Sequence, residues 1–576
     1  MRFPCVLVVV AAVAAVVVVA DCRREAAHEP PAPEADAPQG ETPWFTEITR
    51  EVGLEFVHVS GAQGRLLYPE IAGSGVALFD ADNDGDLDVY FTSGHFGLPE
   101  RLRGDAPTNR FFRHESTGRF HDATEDSGLT NDGYGMGVAI GDIDNDGDLD
   151  LYATNFGADR LYRNRGDGTF EDITESAGIK VPEWSTSAAF FDYDRDGFLD
   201  LYVAVYVAYE PSEQCFDPAG RPDYCGPQMF KGISDALWHN NGDGTFTNVS
   251  DRAGLTSIAM PGLGVVCEDF NDDGWVDVYV ANDRTANQLW INQGDGTFQD
   301  EALLAGAAFN LNGMPEGSMG VVAADLDNDE DIDLFLTHFV GESNTFYRNL
   351  GGAAGFEDAS GASGLSWPSL PYTGFGAVSL DVELDGDLDL AVVNGRVIHG
   401  DLLPGTLPPA PWDVYCEPNL FFLNDGDGRF TRIEDPVAAF CAPIEISRAL
   451  VVGDIDQDGD LDLLVTNIEG PARLYRNDAP REGHWLMIRA VDPQLRRDAI
   501  GARVTVAVGD RRLVRTISAG FSYLSSNDPR AHFGLGDCTK VEYIDVRWPD
   551  GYRERFPSTP VDRHLVLSRG DGRAQP

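Results

Sequence analysis

One nine-residue pattern, D-x-D-x-D-G-x-x-D, recurs seven times along the chain and constrains the fold more than any other feature. The copies are DADNDGDLD (80–88), DIDNDGDLD (142–150), DYDRDGFLD (192–200), DFNDDGWVD (269–277), DLDNDEDID (325–333), DVELDGDLD (381–389) and DIDQDGDLD (454–462). Their starts lie 50 to 77 residues apart. Self-similarity at such a period means a radial or stacked array of small units rather than one ordinary core. A short apolar run precedes each copy (GVALF, GVAIG, SAAFF) and another follows it (VYFTS, LYATN, LYVAV). Both have the length and composition of buried strands. A third strand and a Gly-Asp-Gly turn come next, as in RLYRNRGDGTF (160–170) and QLWINQGDGTF (288–298). Four short strands per unit predict an all-β chain, a seven-bladed β-propeller. The seventh unit has RLYRN (473–477) but no turn and fourth strand after it. WFTEITREVGL (44–54) resembles TFEDITESAGI (169–179), so the N-terminal segment is expected to supply that strand and close the ring.

Alternating Asp with Gly at position 6 wraps a chain around a hard cation. Side chains at positions 1, 3, 5 and 9 point inward and position 7 offers its carbonyl. Oxygen-only ligands favour Ca²⁺, up to seven ions in all. The expected ligands of loop 1 are Asp80, Asp82, Asp84, Asp86 and Asp88, and of loop 2 Asp142, Asp144, Asp146, Asp148 and Asp150. Loop 3 offers Asp192, Asp194, Asp196, Phe198 and Asp200; loop 4 offers Asp269, Asn271, Asp273, Trp275 and Asp277. Loop 5 offers Asp325, Asp327, Asp329, Asp331 and Asp333; loop 6 Asp381, Glu383, Asp385, Asp387 and Asp389; loop 7 Asp454, Asp456, Asp458, Asp460 and Asp462. Asn271, Glu383 and Glu330 (in place of Gly) depart from the pattern and are expected to weaken their loops. An EF-hand would need a bidentate acid at position 12 and flanking helices, where this chain has Phe91, Ala153 and Val203 and strands.

The net charge is −53, which excludes nucleic-acid binding, because phosphate contact needs clustered Lys and Arg. The loops hold 34 of the 95 acids, leaving 61 against 42 bases, so cation binding accounts for much of the acidity but not all of it. Residues 1–22 read as an export signal: one Arg, then a run of Val and Ala. A retained anchor is the alternative. Val19-Ala20-Asp21-Cys22 resembles a lipoprotein box with Cys22 as the acylated residue, although Asp21 departs from it. Residues 23–43 read as a Pro-rich tether, 44–480 as the propeller, 481–571 as a small β-sandwich-like domain and 572–576 as a tail. Export permits disulfides, and Cys215–Cys225 and Cys416–Cys441 are the expected pairs.

The blades resemble FG-GAP/VCBS repeats, also seen in integrin α-subunit propellers. AIGARVTV (499–506), GFSYLSS (520–526), HFGLG (532–536) and VRWPDG (546–551) resemble an ASPIC/UnbV domain. Together they resemble the family of cartilage acidic protein 1 and its bacterial relatives. That resemblance implies an extracytoplasmic Ca²⁺-binding propeller associated with adhesion, and no catalytic residues.

In a four-stranded blade the 1–2 and 3–4 loops share one face. The long insertions 206–235 and 395–418 fall on the other. Asn155, Asn282, Asp283, Arg284, His338, Glu342, Arg396, His399, Asp401 and Trp412 are the candidates there for a protein or glycan ligand. No H-E-x-x-H, G-x-S-x-G, C-x-x-C-H or P-loop occurs, so the chain reads as a binding module rather than an enzyme. A scaffold for another exported enzyme, or a polysaccharide-active site around Arg396, His399 and Asp401, are the alternatives. Any membrane contact would run through an N-terminal lipid or uncleaved anchor. Arg-Gly-Asp at 103–105, 165–167 and 569–571 is turn chemistry and chance.

Overall fold

Each Asp-rich loop joins two buried strands, and every such pair nucleates a four-stranded antiparallel meander. In the second repeat the strands are Tyr134–Gly141, Asp150–Phe156, Arg160–Asn164 and Phe170–Asp172, hydrogen-bonded in that order. The computed structural model describes residues 43–94, 109–131, 133–217, 219–481 and 483–575. The export segment, Cys22, residues 23–42 and the tripeptide at 103–105 lie outside them. Among the described residues, seven sheets follow this meander. The last is completed by Phe45–Glu47, which pairs with Arg473–Asn477 in the register Phe45↔Asn477. The N-terminal segment therefore does supply the missing outer strand.

The first strand of each sheet lies against the first strands of both neighbours, and Val76–Phe79 of the first sheet lies against Ser447–Gly453 of the last. The array is propeller-like and closed. Its cores sit between the sheets. Phe79, Tyr90, Val138 and Tyr162 fill the space between the first and second, and Leu78, Phe91, Val451 and Leu464 the space between the last and first. An end sheet would expose its backbone edge, and closure removes that edge.

Residues 485–574 form two further sheets around a shared core of Ile488, Val504, Ile544, Trp548 and Phe556. They pack on the ring rather than apart from it, and the chain from Thr42 on is one compact unit. The segment Ala519–Asp528 enters the hub. Ser525–Ser526 adds a parallel strand to Val76–Ala77. Tyr523, fully buried, donates to the Ala72 carbonyl at 2.9 Å. Ser522 Oγ donates to Leu450 O at 2.8 Å, Leu524 N to Ser187 Oγ at 3.0 Å and Val452 N to Asn527 Oδ1 at 3.0 Å. Gly75 makes room for this segment, since a Cβ there would lie 2.5 Å from the Leu524 carbonyl oxygen.

The disulfide Cys215–Cys225 forms and closes a hairpin, Cys215–Phe216 against Pro222–Asp223. The expected Cys416–Cys441 bond does not, and both thiols are free. They face different cores. Cys416 packs with Tyr415 and Trp412 over the hub, whereas Cys441 packs with Phe440 and Phe421 between the sixth and seventh sheets. No helix among the described residues is long and apolar enough to cross a membrane.

Candidate functional site

The nine-residue loops are held by their own aspartates. In loop 2, Asp142 accepts the amides of Asp146 (3.3 Å) and Gly147 (2.9 Å), and Asp146 accepts that of Asp148 (3.0 Å). Asp150 accepts from Ile143 N and Asn164 N, both at 2.8 Å. The position-9 carboxylate thus clamps the loop to the third strand, and it does so in all seven copies. Two left-handed residues bend each loop, at positions 4 and 6. Position 6 is Gly147 at φ 103° in loop 2 and Glu330 at φ 77° in loop 5. The departure at Glu330 is therefore a strained backbone position. Its carboxylate meets Arg512 at 2.7 Å and its carbonyl accepts from Arg503.

Position 3 is different, because one carboxylate oxygen of four of its aspartates accepts no hydrogen bond. Oδ1 of Asp82, Asp144, Asp194 and Asp327 is buried without a hydrogen bond, as is Oδ1 of Asp192 at position 1 and of Asp460 at position 7. Carboxylate oxygens converge within 4.8 Å in Asp80–Asp82–Asp88, Asp142–Asp144–Asp146, Asp192–Asp194–Asp196 and Asp325–Asp327–Asp329. Burial, with repulsion between neighbouring carboxylates, pushes Asp142 and Asp327 up to about 6 and Asp325 to about 7. A buried unpaired carboxylate is costly, and a hard cation relieves it. All-oxygen donors fit Ca²⁺. Position-7 side chains point elsewhere. Asn83 donates to Asp148 (2.7 Å), Asn328 to Asp387 (2.8 Å) and Gln457 to Asp86 (2.6 Å), while Arg195 stacks 3.9 Å over Trp275. Position 4 of one loop thereby ties to position 7 of the next.

Two further sets of residues were not singled out by the sequence reading. In the third strand, Arg113, His239 and Arg348 face Asp82, Asp194 and Asp327 at 3.4, 3.4 and 2.7 Å, and the charges of Arg163 and Arg476 act on Asp144 and Asp456. Where position 3 is Asn271 or Glu383, the equivalent residue is Ile291 or Leu423. A base thus accompanies each position-3 Asp, and internal comparison of the repeats would have shown it. The second set comes from the tail. Arg497 bears on Asp142 and Asp192, Arg515 on Asp325 and Asp381, and Arg530 on Asp454 and Asp80. Arg547 pairs with Asp269 at 2.8 Å. Four arginines of one domain thus serve the leading aspartate of all seven loops. Hydrogen bonds to loop backbone reinforce them, from Arg497 to Gly197 O (3.2 Å), Arg511 to Asp385 O (2.6 Å) and His532 to Gly459 O (2.9 Å). The tail thus sits on the inner, leading ends of the loops, while Asp84, Asp146, Asp196, Asp273 and Asp329 at position 5 stay exposed.

The opposite face carries the insertions. Asn155 and Asn282 are buried there and cap their own turns, donating to Ala158 O (3.0 Å) and Ala286 O (2.9 Å). His338 is buried beside Ser318 and Glu316, and burial pushes it down to about 4, so it is neutral. Arg284 lies over Phe339 (4.4 Å) and pairs with Glu342 (3.7 Å), while Asp283 accepts from Tyr206 OH at 2.6 Å. Trp412 is half-buried and Asp401 exposed. Arg396, His399 and Asp401 do not converge as a catalytic cluster. Arg396 binds Glu417 (2.9 Å) and the Asp401 carbonyl (2.9 Å). His399 turns instead to Asp223 (3.3 Å) and the Tyr415 hydroxyl (3.2 Å), joining the disulfide hairpin to the second insertion.

The FG-GAP-like repeat model matches residues 80–153, 142–203, 269–336 and 413–465, and the model described as ASPIC and UnbV matches 492–574. The chain carries FG-GAP-like repeats and an ASPIC/UnbV domain. It is homologous to cartilage acidic protein 1, at 27% identity over 58% of this chain and 41% of the Homo sapiens protein. The Xenopus tropicalis protein is 25% identical over 55% of this chain and 38% of its own length. The chain therefore spans about two-fifths of these curated relatives. Among solved structures, an Agrocybe aegerita lectin that recognises non-reducing terminal N-acetylglucosamine is similar at a TM-score of 0.38, with 15% identity over 70% of this chain and 94% of the lectin. PorZ, a surface component of the Porphyromonas gingivalis type-IX secretion system, reaches 0.38 with 10% identity over 85% of this chain and 59% of its own. At that level of superposition neither neighbour bears on function.

Proposed function

We propose that the chain is an extracytoplasmic binding module in which calcium in the seven loops rigidifies the ring and the insertion face takes a protein or glycan ligand. One observation carries the reading: the tail domain sits on the leading aspartates of the loop face and fills the hub, so the hub of the ring is open to a partner from the insertion face. The buried Oδ1 atoms of Asp82, Asp144, Asp194 and Asp327, which accept no hydrogen bond, support the calcium part. Each loop would hold its ion through positions 1, 3, 5 and 9 and the position-7 carbonyl, and calcium would supply the charge that lets these acids stay ionised together. The chain's own groups do the rest. Position 9 fixes the third strand, position 4 ties neighbouring loops, and the strand-three and tail arginines offset the residual negative charge. Export through residues 1–22, with or without lipid on Cys22, places the module where millimolar calcium is available.

The test is a screen of the purified chain, in calcium, against protein and glycan arrays, followed by two variants. Arg284→Ala with Trp412→Ala alters the insertion face and is expected to abolish capture. Asp86→Asn alters the loop face and is expected to leave it intact. Capture lost only in the loop-face variant would reverse the assignment of faces.

A further inference from the structure

At the hub of the insertion face, segments of five sheets enclose a pocket of about 140 Å³. Much of its wall is apolar or aromatic, with Tyr68 from the first sheet's lead-in, Tyr224 from the disulfide hairpin, Met319 and Phe339 from the fifth sheet and Ile398 from the second insertion, and Gln228 and Arg284 complete it. Asp283 also lines it, and is only 7% exposed. Oδ2 of Asp283 is taken by the Tyr206 hydroxyl, whereas Oδ1 has no hydrogen bond among the described residues. The adjacent Arg284 does not satisfy it, because its guanidinium is stacked on Phe339 and turned to Glu342. The left-handed backbone at Arg284 (φ 55°) accompanies this divergence of neighbouring side chains.

We propose that this pocket binds one ammonium-bearing side chain, a lysine presented by a partner protein. Three features select that chemistry. A free carboxylate oxygen in an apolar enclosure accepts a charge-assisted hydrogen bond and repels an anion. Phe339 already carries Arg284, which leaves the rings of Tyr68 and Tyr224 to attract a cation. The apolar walls match a methylene stem that leads to a single charged end. A sugar ring would bring many hydroxyls to a pocket with one free acceptor and leave most of them unpaired, and buried unpaired polar groups are disfavoured. A purely aliphatic side chain would leave the Asp283 oxygen uncompensated. The hub segment around Tyr523 closes the ring from the loop-face side, and Ile398 and Gln228 are exposed residues of the pocket's lining.

This assignment rests on the insertion face being the binding face. The experiment is ligand-observed NMR on the whole chain from residue 43 in calcium, with Nα-acetyl-lysine methylamide and its norleucine counterpart as probes. The lysine probe is expected to bind at least tenfold more tightly than norleucine, and Asp283→Asn to lose at least tenfold of that binding. Ile398→Arg, which places a positive charge at the half-exposed rim without disturbing the buried carboxylate, is expected to lose as much at an unchanged melting temperature. Equal binding of both probes, no binding of the lysine probe to folded chain, or full binding by both variants would overturn the pocket. If a partner from the array screen still binds Asp283→Asn and Ile398→Arg but not Arg284→Ala with Trp412→Ala, the lysine pocket falls while the binding face stands. If it binds all of them, the face itself is wrong.

Discussion

The two ends of the ring are made by the same seven sheets and differ in almost every other respect. The loop end is periodic. The position-9 clamp and the left-handed pair of bends recur around the circle, position 4 ties most loops to the next, and a second domain sets four arginines against the leading aspartates. The insertion end is aperiodic. Its two long insertions meet each other through Asp223, His399 and Tyr415, and its charged residues sit in unique settings. Periodicity suits a structural role, because a repeated contact stabilises every unit alike. Uniqueness suits recognition, which needs one arrangement and not seven copies of it.

Four substitutions or titrations sharpen or break that contrast. The largest effect is expected at the hub, where the two ends meet. Tyr523→Ala removes a fully buried ring and its bond to Ala72, and should cost about 3–5 kcal/mol by chemical denaturation. A change within error would mean that the tail merely rests on the ring. Next, Asp144→Asn should lower stability by about 2.7 kcal/mol in calcium at a hundred times the dissociation constant, and should be neutral or stabilising in chelator. Equal effects in both media would make the loop an ordinary turn.

The third prediction concerns buried carboxyls outside the loops. Burial raises Asp159 to about 8 and Asp235 to about 7, each held by a tyrosine hydroxyl. A carboxyl raised on folding binds more protons in the native state than in the unfolded chain. Its contribution is therefore full below about pH 4 and is lost as pH rises through its folded value, at about 1.4 kcal/mol per pH unit per group. In saturating calcium, melting temperature should fall between pH 5 and pH 8, and Asp235→Asn should flatten the slope. An unchanged slope would assign the pH dependence elsewhere. The smallest effect is expected from Arg284→Ala, whose pair with Glu342 is long and partly exposed: under about 1 kcal/mol of stability, with unchanged calcium stoichiometry. A calcium deficit in this variant would show that the two ends are not independent.

Much of the ring was legible because its signals are local. The Asp spacing marks the loops, Phe45 within WFTEI marks the closing strand, and Gly-Asp-Gly marks the hairpins. What the sequence hid is long-range. Nothing near GFSYLSS says that Tyr523 reaches Ala72, some 450 positions earlier in the chain. Arg547 in VRWPDG carries no mark of its partner Asp269. Cys416 and Cys441 sit in neighbouring segments, as Glu417↔Glu445 pairing shows, yet their side chains enter different cores, and spacing cannot report side-chain direction. His399 found Asp223 across the hub rather than Asp401 two residues away. The bases opposite position 3 were visible in principle, since Ile291 and Leu423 replace them only where Asn271 and Glu383 replace Asp.

The central claim is that cations hold the periodic end together. The most direct test counts calcium by elemental analysis on the chain from residue 43 and follows its thermal unfolding in millimolar calcium and in chelator. Expected are ~5–7 bound ions per chain and a midpoint many degrees higher in calcium, since each filled site adds about 2.7 kcal/mol at a hundredfold excess over its dissociation constant. A chain with no bound metal and the same midpoint in both media would contradict it.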